Sequence, residues 1–162
     1  MGVHFNADEV FAMAVKIEEN AAAFYHRAAH LSKGKQIIDT LENLAKMEEG
    51  HKRIYTEMRA GLKEQEKQEL SYDPNNEAVL YLNAMADAHG GEGSPDVAGS
   101  LTGNESLKEI VGIALNLEKN SILYYVGLID LVPERLGKDK INRIINEEKK
   151  HVVLLSQLLA KM

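Results

Sequence analysis

Among its 162 residues the sequence has no cysteine and no tryptophan. Without cysteine there is no disulfide, no thiolate zinc site, no iron–sulfur cluster and no thiol nucleophile, so any metal must be held by Asp, Glu or His. Long apolar runs are missing as well, and nothing in the chain reads as a bilayer span. Lys and Arg are never clustered, and the formal charge is -6, which argues against a basic footprint for nucleic acid or an anionic membrane. Near the start, Asp8, Glu9, Lys16, Glu18 and Glu19 stand too close together for a signal-peptide apolar stretch. Met1-Gly2 opens like an acylation motif, but Asn6 stands where that motif needs Ser or Thr. The expectation is a single-domain cytoplasmic protein acting on small molecules or soluble partners.

Proline and glycine are scarce through most of the chain, aromatics make up only 6%, and apolar residues recur at three- and four-residue spacing. That pattern predicts an all-α protein. The first helix opens at Asn6-Ala7-Asp8-Glu9, with Glu9 placed to reach back to the cap, and closes near Ser32-Lys33-Gly34. The second runs from about Lys35 to Ala60 and fades at Gly61. The third follows Thr102-Gly103-Asn104-Glu105 and ends before Pro133, and the fourth starts at about Lys138. Between the second and third lie turn residues at Tyr72-Asp73-Pro74-Asn75-Asn76, a short helical segment from Glu77 to His89, and a glycine-rich piece from Gly90 to Pro95. Short turns make each outer pair an antiparallel hairpin, 6–61 and 105–162, joined by a crossover over 62–104 that is long enough to run end to end.

The two hairpins repeat at an offset of one hundred residues. Ile17-Glu18-Glu19-Asn20 falls on Leu117-Glu118-Lys119-Asn120, Phe24-Tyr25 on Tyr124-Tyr125, and Glu48-Glu49-Gly50-His51 on Glu148-Lys149-Lys150-His151. Polar residues stay in step, not only the apolar period. Helical geometry then separates inward from outward acids. Glu18 shares a stripe with Phe11, Ala14, Val15, Ala21, Ala22 and Tyr25, whereas Glu19 lies with Ala12, Lys16, Ala23 and His26. Glu48 lies with Leu41, Leu44, Ala45, His51 and Tyr55, whereas Glu49 lies with Glu42, Lys46, Lys52 and Arg53. Glu118 and Glu148 sit on equally apolar stripes, so each long helix carries one core-facing glutamate.

An unpaired buried carboxylate costs several kcal/mol or stays protonated, and four facing one another repel. Two divalent cations balance four carboxylates, and two imidazoles complete the donor set. The i, i+3 spacing of Glu48-x-x-His51 and Glu148-x-x-His151 puts carboxylate and imidazole one turn apart on one face. A single Glu-x-x-His is common by chance and usually a surface pair. Two of them, at equivalent places in a repeated hairpin and each accompanied by a core-facing Glu, point to a dinuclear site of Glu18, Glu48, His51, Glu118, Glu148 and His151. One Glu from each of two helices plus Glu-x-x-His from the other two is the donor pattern already described for ferritin-like di-metal proteins. Tyr25 and Tyr125, two turns from their glutamates, are either packed aromatics or hydrogen-bond partners of a ligand carboxylate. His26 and His30 share a polar stripe with no third ligand and read as surface histidines, while Lys63 to Glu69 reads as a solvated helix end or linker.

Over nearly its whole length the sequence resembles the rubrerythrin branch of the ferritin-like superfamily. The resemblance is carried by Glu18 with Tyr25, Glu48-x-x-His51, Glu118 with Tyr125, and Glu148-x-x-His151. It implies a ferritin-like four-helix bundle, two iron ions with Mn or Zn as substitutes, reduction of hydrogen peroxide or dioxygen, and a homodimer or larger assembly. Rubrerythrins proper also carry a four-cysteine rubredoxin-like domain, which is missing here, so electrons would come from a separate rubredoxin-like donor. They have a further carboxylate one turn beyond the third-helix glutamate, where this chain has Ser121. Fe(II) oxidation for storage or delivery, and a metal-stabilised structural or sensing bundle, are the alternative functions.

Overall fold

The computed structural model describes residues 7–68, 77, 80, 81, 97–130, 132 and 134–162. Four long helices dominate: α1 (Ala7–Leu31), α2 (Lys35–Ala60), α5 (Leu107–Ile129) and α6 (Lys138–Ala160). Two short ones, α3 (Glu64–Gln68) and α4 (Val97–Ser100), lie in the connection, and a 3₁₀ turn (Glu134–Leu136) precedes α6. Both hairpin turns end on a glycine at positive φ, Gly34 (96°) and Gly137 (88°), a conformation that side chains with a Cβ rarely adopt. No strand occurs among the described residues, and none of the described helices is long and apolar enough to cross a membrane.

Side-chain pairing fixes the helix directions. Arg59 grips Asp8 with two bonds of 2.8 and 2.9 Å, joining the start of α1 to the end of α2. Tyr25 meets Glu118 while Tyr125 meets Glu18, so α1 and α5 run antiparallel. His51 meets Glu148 while His151 meets Glu48, so α2 and α6 do too. It follows that α2 and α5 are parallel, and the chain must travel the length of the bundle between them. That is the crossover connectivity expected from the sequence.

The core is split in two. At one end Phe11, Tyr55, Tyr124, Leu128, Ile141 and Ile144 pack together, and at the other Phe24, Leu41, Leu44, Val111, Ala114 and Leu155 do. The glutamates and histidines of the repeat occupy the layer between these apolar blocks.

Three local features add detail to the sequence expectation. The N-cap of α5 is Ser106, closed by a full capping box with Glu109, directly after the Thr102–Glu105 cluster as expected. Glu105 accepts bonds from the Thr102 backbone and hydroxyl and from Gly103 N, tying the preceding loop. Of the charge run read as a solvated helix end or linker, Glu64–Gln68 forms a short helix whose Glu66 pairs with Arg135. Of the expected crossover helix, Glu77, Leu80 and Tyr81 are helical, and the rest falls outside the described residues, as do Asn6 and Pro133.

Candidate metal centre

All six residues singled out by the repeat converge in the central layer, and none is more than 3% exposed. Each comes from the middle of a long helix, where the stripe containing it is otherwise apolar. His51 directs Nδ1 inward, 2.7 Å from Glu148 Oε1, 3.1 Å from Glu48 Oε2 and 3.6 Å from Glu18 Oε2. His151 does the same, 3.1 Å from Glu148 Oε2, 3.2 Å from Glu48 Oε1 and 3.3 Å from Glu118 Oε2. The two rings lie nearly parallel with centroids 6.0 Å apart.

Two donor quartets result, Glu18-Glu48-His51-Glu148 and Glu48-Glu118-Glu148-His151, each with its ligand atoms within 4.8 Å of one another. Glu48 and Glu148 belong to both. Each of these shared carboxylates also has a buried Oε1 that makes no hydrogen bond among the described residues, although an imidazole Nδ1 lies 2.7 Å from that of Glu148 and 3.2 Å from that of Glu48. A buried anionic oxygen left so is costly, and a cation between the carboxylates is the simplest group that satisfies it. Carboxylate and imidazole together are the donors that iron, manganese and zinc accept. The residues therefore fit a pair of metal ions.

Proton affinities in the cluster are pulled apart by its own charges. Burial, reinforced by the neighbouring Glu48 charge, pushes Glu18 up to about 8 and outweighs its bond to His51. Burial and the charges of Glu48 and Glu118 raise Glu148 as well. Burial would also raise Glu48, but bonds from His151 and His51 hold it down at about 2. In the two histidines burial favours the neutral ring and is overcome by the surrounding carboxylates, which lift His151 to about 12 and push His51 in the same direction. In the side chains alone, imidazolium and shared protons offset the clustered charge. A metal ion must displace those protons to bind.

The tyrosines engage the cluster across the bundle. Tyr25 donates to Glu118 and Tyr125 donates to Glu18, each reaching the opposite hairpin rather than the glutamate on its own helix. Seven residues along one helix is a rise of about 10 Å, beyond the reach of a phenol, whereas the antiparallel neighbour brings the carboxylate alongside. Burial first, then the accepting carboxylate's charge, drives both phenols well above the usual range, so they remain donors. Replacing Tyr125 by Phe is expected to weaken metal binding about 10- to 100-fold in a titration of the metal-free protein. Tyr124→Phe, which removes a bond to the Val10 carbonyl, should leave metal binding unchanged and cost about 1 kcal/mol of stability.

Sequence reasoning passed over two neighbours of the site. Tyr55, fully buried, packs its ring 5.0 Å from that of Tyr125, and its hydroxyl has no hydrogen-bond partner among the described residues. Glu147 lies 2.8 Å from the outer nitrogen of His51. Its only sequence signal is the tandem Glu147-Glu148, which the first hairpin replaces with Met47-Glu48. Glu19 and Glu49 are exposed as expected, and His26 on the surface bridges Glu42 and Glu49 at 3.0 and 2.9 Å.

No protein-family model and no curated protein sequence matches the chain. Among solved structures it is similar to a Thermotoga maritima protein provisionally described as a ferritin-like diiron-carboxylate protein. The TM-score is 0.72 at 22% sequence identity, covering 99% of this chain and 98% of that one. At this identity the likeness carries the architecture: the fold is that of a ferritin-like bundle.

Proposed function

We propose that the central layer holds two iron ions and that the chain is a rubrerythrin-like oxidoreductase, reducing hydrogen peroxide or dioxygen with electrons from a separate rubredoxin-like donor. The observation that carries this reading is the pair of overlapping donor quartets joined by Glu48 and Glu148. In it Glu18 and Glu118 would be terminal ligands, Glu48 and Glu148, which belong to both quartets, would be shared between the ions, and His51 and His151 would each hold one. When bound, such a pair supplies two electrons to an oxygen–oxygen bond. The chain contributes the rest. Tyr25 and Tyr125 hold the terminal carboxylates in place by donating to them. The apolar blocks above and below exclude bulk water, which strengthens every electrostatic contact in the layer. Mn and Zn suit the same donors, so metal content of anaerobically prepared protein accompanies the functional test.

With no cysteine and no recognisable flavin or nicotinamide motif, the metal pair is the redox element that the sequence places. Chemically reduced, iron-loaded protein should consume about one equivalent of peroxide per metal pair in stopped-flow mixing, then halt until a rubredoxin-like or flavoprotein donor is added.

A second reading, Fe(II) oxidation for storage or delivery, draws support from Ser121. It is buried and donates to the Leu117 carbonyl at 3.1 Å, in the place where rubrerythrins carry a further carboxylate. Slow reaction with peroxide together with sustained Fe(II) and oxygen consumption would decide for it. Neither reaction in iron-loaded protein would leave a structural or sensing bundle.

A further inference from the structure

The approximate two-fold symmetry of the centre breaks behind the two histidines. Both histidines turn Nδ1 toward the carboxylates. The outer nitrogen of His51, Nε2, lies 2.8 Å from Glu147 Oε2, on the opposite hairpin. Glu147 is about one-third exposed, and its other oxygen lies 3.9 Å from Arg143 Nε. The hundred-residue repeat places Met47 where a second such carboxylate would serve His151. A thioether is a weak acceptor at best. His151 Nε2 is buried and has no hydrogen-bond partner among the described residues.

We propose that the two metal positions are inequivalent, and that the position built from Glu18, Glu48, His51 and Glu148 binds a divalent ion more tightly because Glu147 positions His51. This rests on the dinuclear reading given above. A neutral imidazole carries its hydrogen on one nitrogen only, and an acceptor at Nε2 selects the tautomer whose Nδ1 lone pair is free for metal. The same bond fixes the ring plane and makes Nδ1 a stronger donor. His151 receives neither form of help, because the residue that would provide it is Met47. Glu147 thus acts through His51 and touches no ion itself. Loading is ordered: the His51 position fills first, and the His151 position fills at higher metal concentration.

Anaerobic titration of metal-free protein with Co(II), followed by visible absorption and calorimetry, tests this. The wild type should show two steps at least about tenfold apart in affinity. Glu147→Ala should weaken the tighter step about 10- to 100-fold, with Glu147→Gln falling between, and Met47→Glu should strengthen the weaker step and narrow the gap. In a double-mutant cycle, Glu147→Ala should add nothing to His51→Ala but keep its effect beside His151→Ala. A general loss of packing would instead weaken both steps and act alike in both backgrounds. Two equal steps in the wild type, or an effect of Glu147→Ala that persists undiminished beside His51→Ala, would overturn the proposal and leave the dinuclear reading standing. Fewer than two bound Co(II) per chain would overturn both.

Discussion

Replacing Glu48 by Ala is expected to reduce bound divalent metal from two ions per chain to at most one, because its carboxylate belongs to both quartets. Affinity at the surviving position should fall by more than about 100-fold, beyond what loss of an outer hydrogen bond costs. Glu48→Gln keeps the shape, removes the charge and should lose metal similarly, which separates ligation from packing. Glu49→Ala and Glu19→Ala are the controls. Glu49 sits on the surface against His26 at 2.9 Å, and Glu19 against Lys16 and Lys52 at 3.1 and 3.2 Å. Exposed pairs of this kind contribute up to about 1 kcal/mol and do not touch the centre. Metal content after gel filtration reads the difference. Equal loss from Glu48→Ala and Glu49→Ala would show that the assignment of helix faces is wrong.

Metal-free and metal-loaded protein should respond to pH in opposite directions. Glu18 binds its proton with a pKa of about 8 when folded, against an ordinary 4.5, so between these values the native state holds a proton that the unfolded chain has released. Its contribution is complete below 4.5 and is lost as pH rises through 8. Glu148, also raised, acts in the same direction. The histidines join above their ordinary 6.5 because their folded values lie higher still. Glu48, held at about 2, loses its contribution only as pH falls toward that value and is silent in this window. Each group changes stability by about 1.4 kcal/mol per pH unit where it acts. The melting temperature of chelator-treated protein should therefore fall by at least about 5 °C from pH 5 to pH 8. Metal ions compete with the same protons, so loading tightens as pH rises, and an ion at a hundredfold excess over its Kd adds about 2.7 kcal/mol. Scanning calorimetry of the two forms side by side is decisive. Parallel pH profiles would contradict the account.

The four long helices and their inward glutamates were legible because two independent signals coincide: apolar periodicity selects Glu18 over Glu19 and Glu48 over Glu49, and the repeat selects the same residues again. The helix ends at Gly34 and Gly61 were legible for the same local reasons that place them. Contacts between helices were not. That Tyr125 serves Glu18, and Tyr25 serves Glu118, depends on antiparallel docking of α1 against α5, which no periodicity within one helix encodes. Glu147 was hidden because a part-buried acid beside a fully buried one reads as solvated until His51 arrives from the other hairpin. At the start of α5 two consecutive Ser/Thr-x-x-Glu patterns stand side by side, Thr102–Glu105 and Ser106–Glu109, and the second caps the helix while the first ties the preceding loop. The short helix α3 is held by Arg135 from a distant part of the chain, a partner that its own five residues cannot announce.

Each hairpin keeps three donors for its own quartet and lends one to the other: Glu148 completes the set of Glu18, Glu48 and His51, and Glu48 completes that of Glu118, Glu148 and His151. Neither half can assemble a full coordination set until the two have docked, so bound ions would behave as a latch thrown after the door has closed. Their binding energy would be absent from the barrier to docking and present in the barrier to separation, and would accordingly appear in the unfolding rate while the folding rate stays nearly unchanged. A protein built this way would gain lifetime rather than speed from bound metal.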